Sequence, residues 1–152
     1  MGYTAFQLRR RCLLVTIHPQ KIEGRFRSGV ALDLHTTGST PVGYNEAGHM
    51  QFDTARPEIA ELLYQFKYQG NQKAAANGII EAASTYLKKH RALFDLMIPV
   101  PPSTARAVQP VLVLARGIGA ALRLPVLECI ATTRPTTQLK GVTDPDERMK
   151  LV

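Results

Sequence analysis

Four prolines within sixteen residues, Asp95 to Pro110 (DLMIPVPPSTARAVQP), constrain this chain more than any other stretch. Proline has no backbone N–H and a fixed φ, so helix is forbidden across Pro99, Pro101 and Pro102. Met97, Ile98 and Val100 supply the apolar run of a short buried strand. A loop rich in proline and hydroxyls follows, and Pro110 suits the first position of a helix, where a missing donor costs nothing. Ser103, Thr104, Arg106 and Gln109 place hydrogen-bond donors just past the strand end. Ligands of open α/β sheets bind at the carboxyl ends of strands. A strand, a donor-rich loop and a helix N-terminus together suit an anion such as phosphate. The same residues also make an ordinary strand–loop–helix connection that carries an arginine.

The chain has 152 residues, room for one domain with a real core. Its net charge is +7, which favours an anionic partner without choosing among phosphate esters, nucleic acid and acidic surfaces. Part of the excess is local: Arg9, Arg10, Arg11, Lys21, Arg25 and Arg27 face only Glu23. The remaining cations are scattered, so no continuous nucleic-acid stripe is visible. Cys12 and Cys129 are too far apart in sequence for a CxxC pair or zinc spacing, which fits a reducing cytoplasm. The apolar run Cys12 to Ile17 is too short for a signal-peptide core, and no segment reaches transmembrane length. A soluble intracellular protein is expected.

In chain order, residues 1–54 read as a β/hairpin region and residues 55–152 as an α/β unit. CLLVTI is a candidate strand. Val30, Leu32 and Leu34 alternate with Ala31 and Asp33, the period of a strand. The turn residues NEAG at 45–48 separate VGY from HMQF and predict a hairpin. Asp53 or Thr54 is expected to cap the next helix, with Pro57 and Glu58 in its first turn. Ile59, Leu62, Leu63 and Phe66 form its apolar stripe, and Gly70-Asn71 ends it. A second helix is expected over 72–90, with Ile79, Ile80, Ala83 and Leu87 facing the core. A third, over 110–123, buries Val111, Leu114, Ala115, Ile118 and Leu122. Gly117 and Gly119 weaken it by roughly 1 kcal/mol each relative to alanine, so close packing is the expected reason for them. Val126 to Ile130 reads as a strand. Strand, helix and strand in this order are the grammar of a parallel sheet. A long polar loop follows, and Asp144-Pro145 opens a last helix.

From Glu61 onward the residues resemble the ComF family, a branch of the type I phosphoribosyltransferase superfamily. The matching pieces are LLYQFKYQGN at 62–71, IPVPPSTARAVQP at 98–110, ARGIGAALRLPV at 115–126 and TTRPTTQLKGVTDPDER at 132–148. PVPPS with its following arginine is the most specific of them. The hairpin region, GVALDLHTTGST through GYNEAGHMQFDTAR, resembles the front end of a longer-loop, amidophosphoribosyltransferase-like subgroup. The resemblance implies an incomplete type I-like parallel sheet with flanking helices, preceded by the hairpin region. Ser103, Thr104, Arg106 and Gln109 would then lie in the loop that meets the pyrophosphate of phosphoribosyl pyrophosphate (PRPP), with Mg²⁺. Gln138, Lys140 and Arg148 would belong to a flexible loop that closes over substrate. The implied parent activity is transfer of ribose 5-phosphate from PRPP to a nucleophile.

The superfamily signature, an apolar strand ending in two acids and a Thr/Gly-rich loop, would follow soon after Arg148. These 152 residues do not contain it, so a chain inactive by itself is expected. The cysteine cluster that binds zinc in many ComF proteins is absent too, and no zinc is expected. VALDLHTTGST at 30–40 imitates the missing element: Asp33 supplies an acid, and Thr36, Thr37, Gly38, Ser39 and Thr40 supply small residues suited to phosphate. It carries one acid instead of two and precedes PVPPS, so a strand running into a Thr/Gly turn is the plainer reading. The rival from another class is a non-enzymatic module that binds DNA during uptake, or a partner protein. An incomplete sheet leaves an unpaired edge, so a homo-oligomer or a partner that completes the sheet is expected.

Overall fold

The structure, a computed structural model, describes residues 15–69, 72–102, 106–132 and 144–150. The candidate strand at CLLVTI falls partly outside them, and its described part, Val15 to Ile17, is irregular. The architecture is mixed α and β. The chain divides into two compact units, residues 1–83 and 84–152, with the division inside a helix.

The first unit opens with two short strands, β1 (Gln20–Ile22) and β2 (Gly29–Ala31), paired antiparallel. A longer hairpin follows, β3 (Gly38–Tyr44) and β4 (Met50–Ala55). Asn45 shapes its turn: the side-chain Oδ1 accepts from the amides of Ala47 (3.1 Å) and His49 (2.8 Å). This is the self-bonding that makes Asn a turn residue. Helix α1 (Glu58–Tyr68) starts later than expected. Asp53 and Thr54 do not cap it, because both are drawn into β4 opposite Thr40 and Ser39. Pro57 takes the N-cap position instead, and its carbonyl accepts the Glu61 amide at 2.9 Å. The expected stripe faces inward: Ile59 and Phe66 are buried, Leu62 and Leu63 half-buried. Helix α2 (Gln72–Lys88) adds Ala75, Ala76, Ile79, Ala82 and Ala83 to the buried apolar residues. It ends two residues before the expected His90, where tight bonds from Lys89 and His90 take over.

In the second unit a short 3₁₀ turn (Arg91–Leu93) leads to the proline-rich stretch, then to α3 (Pro110–Leu122). The expected parallel sheet is not present as a sheet among the described residues. What is there is one parallel bridge, Met97 to Val126. Met97 donates to the Pro125 carbonyl and Leu127 donates to the Met97 carbonyl, both at 2.9 Å. In a parallel ladder the neighbouring rungs would take their donors from Pro99 and Pro125, and neither has one. The pairing is therefore stopped on both sides by the residues that define the stretch. Around it, Pro99, Ala115, Gly119, Leu122 and Leu124 are buried, while Val111, Leu114 and Ile118 are half-buried.

The end of α3 is unusual in one residue. Arg123 sits in the left-handed region, φ 54° and ψ 47°, where glycine is usual. The Leu124 amide reaches the Gly119 carbonyl at 2.9 Å, and that of Arg123 reaches Ala120 at 3.4 Å. This is the Schellman pattern. Since the left-handed conformation costs an L-residue about 1 kcal/mol or more, Arg123→Gly is expected to stabilise the protein by about that amount. Urea unfolding followed by far-ultraviolet circular dichroism measures it. Last comes α4 (Pro145–Lys150), capped as expected: Asp144 Oδ1 accepts the Asp146 amide at 2.8 Å.

Candidate functional site

The stretch from Met97 to Gln109 is built by its neighbours on both sides. The bridge to Val126 holds Met97, and burial alternates from there: Pro99 is buried while Ile98 and Val100 are exposed. Pro101 is half-buried and Pro102 exposed. Ser103 and Thr104 lie outside the described residues. Arg106 is exposed, and Gln109 is the half-buried N-cap residue of α3. Its side chain makes no capping bond; its carbonyl accepts the amides of Leu112 and Val113, both at 3.1 Å. The stretch thus leads from the single bridge at Met97 to the amino end of a helix whose dipole is positive there. It contains no carboxylate. Its one cation among the described residues is Arg106.

The second candidate group is arranged otherwise. Asp33 does not project into open space: its side chain is 5% exposed. Oδ1 accepts the Leu34 amide at 2.8 Å, and Oδ2 accepts the His18 amide and faces His18 Nδ1, both at 3.0 Å. Burial pushes its pKa up, but the bonds from Leu34 and His18 and the His18 charge outweigh it and leave the carboxyl below its ordinary value. The carboxylate is committed to holding residue 18 against residue 33. Thr36 meets His35 Nδ1 at 3.1 Å. Both the amide and the hydroxyl of Thr37 donate to the Ala55 carbonyl, at 2.9 and 3.2 Å. Gly38, Ser39 and Thr40 form the start of β3, opposite Ala55, Thr54 and Asp53. Extended along β3, successive amides point to opposite edges of the strand and do not converge on a common point.

Of the remaining expected residues, Gln138 and Lys140 lie outside the described residues. Arg148 is in α4, where only its backbone is described. Among the described residues no three His, Cys, Asp or Glu side chains come together as a metal site. No described helix is long and apolar enough to cross a membrane.

Two arrangements were not foreseen from the sequence. One is the His18–Asp33 pair. The other is Arg91, whose guanidinium donates to the carbonyls of Leu122 (Nε, 2.8 Å), Phe94 (2.7 Å) and Arg123 (3.0 Å). No local pattern announces either, because His18 and Asp33 are 15 residues apart and two of the three Arg91 acceptors are 31 and 32 residues away. Comparison with protein-family models, with curated proteins and with solved structures finds no match to the chain.

Proposed function

We propose that the chain is a phosphoribosyltransferase-like protein of the ComF kind, acting in the cytoplasm, and that its loop at 101–109 holds the pyrophosphate of PRPP. The observation that carries the reading is a single parallel bridge whose two residues flank α3 in the chain. Met97 is bridged in parallel to Val126, with α3 between them in the chain, so Arg106 and Gln109 follow an extended bridged segment and precede a helix's amino end. This is where α/β proteins hold anionic ligands. On this reading the bridge is the remnant of an incomplete type I-like sheet.

Within the loop, Arg106 would neutralise charge on the pyrophosphate, and the amide end of α3 would add a fixed positive field. In the parent reaction that stabilisation acts on the departing pyrophosphate as the sugar becomes oxocarbenium-like. The loop offers no carboxylate, so Mg²⁺ fits here as a companion carried on the phosphates and not as an ion caged by the chain. The acid pair that would meet the ribose is not among these 152 residues, so the reading asks them for binding and not for turnover.

Titration calorimetry of the purified chain with PRPP, with and without Mg²⁺, tests the reading. Saturable binding that strengthens with Mg²⁺, is displaced by pyrophosphate, and weakens about tenfold in Arg106→Ala is expected. A folded chain that ignores PRPP, or that binds it equally well without Arg106, overturns the reading. If such a chain instead binds duplex DNA with an affinity that falls steeply with salt, the non-enzymatic role takes its place.

A further inference from the structure

The hairpin β3–β4 is amphipathic, yet every residue in it except Thr54 is exposed. Tyr44 pairs with Met50, and Phe52 lies two residues further along β4, so these three share one face. They are 70%, 44% and 56% exposed. Asp53 and Gln51 lie on the opposite, polar face. A two-stranded hairpin this exposed is marginal in water, and a third strand is what stabilises such a unit.

Its two edges differ. The β3 edge is blunted: Pro41 has no donor, and the pairing shifts register between Pro41 and Gly43, where Gly43 has φ +126°. Proline and bulges are devices that keep further strands away. The β4 edge (MQFDTA) has no proline, no bulge in its own strand and no lysine. Charge adds a preference. Residues 28–55 contain Asp33, Glu46 and Asp53 and no lysine or arginine, although the chain carries 19 of these. Asp33 is tied to His18; Glu46 and Asp53 form no ion pair among the described residues.

We infer that the β4 edge is a docking site for a basic, extended polypeptide segment with alternating apolar residues, added as a third strand. Alternation matches both faces at once. Apolar side chains of the added strand continue the Met50–Phe52 row, while its cations come beside Asp53 on the other face. A second copy presenting its own hairpin would bring Asp53 and Glu46 towards their like, which disfavours that occupant.

The test uses the full chain and two fluorescent decapeptides, one alternating Lys and Val, the other Glu and Val. Anisotropy is expected to rise with the Lys–Val peptide only, with weaker binding at high salt. Asp53→Lys is expected to weaken that binding about fivefold; Asp53→Asn should weaken it less. Hydrogen exchange in the complex should slow in Met50–Ala55 more than in Gly38–Tyr44. Equal binding of both peptides, binding of neither, protection confined to β3, or a dimer that holds the hairpin without peptide each overturns the inference. PRPP is not involved, so failure here leaves the loop reading untouched.

Discussion

Replacing Arg91 with alanine is expected to destabilise the second unit by about 3 kcal/mol. Three carbonyls depend on this one guanidinium: Leu122 at the end of α3, Arg123 just beyond it, and Phe94 in the preceding turn. A hydrogen bond to a charged group contributes roughly 1.5–3 kcal/mol. The three are not additive, since they share one side chain and two of them face solvent. The cation also sits at the negative end of the α3 dipole, which adds a few tenths to about 1 kcal/mol. Arg91→Lys keeps that charge but cannot span three acceptors with one ammonium, so about half the loss is expected. Urea unfolding by circular dichroism gives the size of the effect, and hydrogen exchange in the last turn of α3 locates it. A loss below about 0.5 kcal/mol, the ordinary range for a surface change, would show that the clamp contributes little in solution.

At Gly119 two effects oppose each other, and magnitudes decide between them. Alanine in place of glycine in a helix interior normally gains about 1 kcal/mol. Here the added methyl would collide with Val126 Cγ2 and stand 3.0 Å from the Leu124 carbonyl oxygen. Overpacking of this kind costs roughly 1–3 kcal/mol. The carbonyl cannot swing away, because the Schellman turn that follows α3 fixes Leu124. Gly119→Ala is therefore expected to destabilise by about 1 kcal/mol net, and Gly119→Val by about 3 kcal/mol. Pairing Gly119→Ala with Val126→Ala should recover part of the loss relative to Val126→Ala alone, by double-mutant cycle. A stabilising Gly119→Ala would mean that α3 does not pack this closely on the Val126 segment. The packing of α3 beside the Met97–Val126 bridge, on which the pyrophosphate reading rests, would then lose its support.

Local chemistry carries much of this fold. The stripe Ile59, Leu62, Leu63 and Phe66 places α1, Pro110 opens α3, Asp144-Pro145 opens α4, and Asn45 closes the hairpin. Each rests on contacts within about four residues, which the order of residues states directly. The prolines at 99 and 125 also say where parallel pairing must stop, because a missing donor is a covalent property. The ends of the candidate loop were legible for the same reason, at Pro101 and Pro110. Partner choice over long separations was not. Asp33 reads most plainly as part of a strand running into a turn, with a phosphate-site acid as the rival, and only the folded chain shows His18 occupying its carboxylate. The run TTGST has the composition of a phosphate cradle, but Thr37 bonds Ala55 and Gly38 to Thr40 are extended along β3 in its ladder with β4. Asp53 and Thr54 read as helix caps until that same ladder takes them. Arg91 looks like one more basic residue after α2 until three carbonyls converge on it. Such choices depend on which groups the folded chain brings within about 3 Å of one another. Residue type sets what each group can bond to, and only the tertiary structure decides which competitor for it arrives.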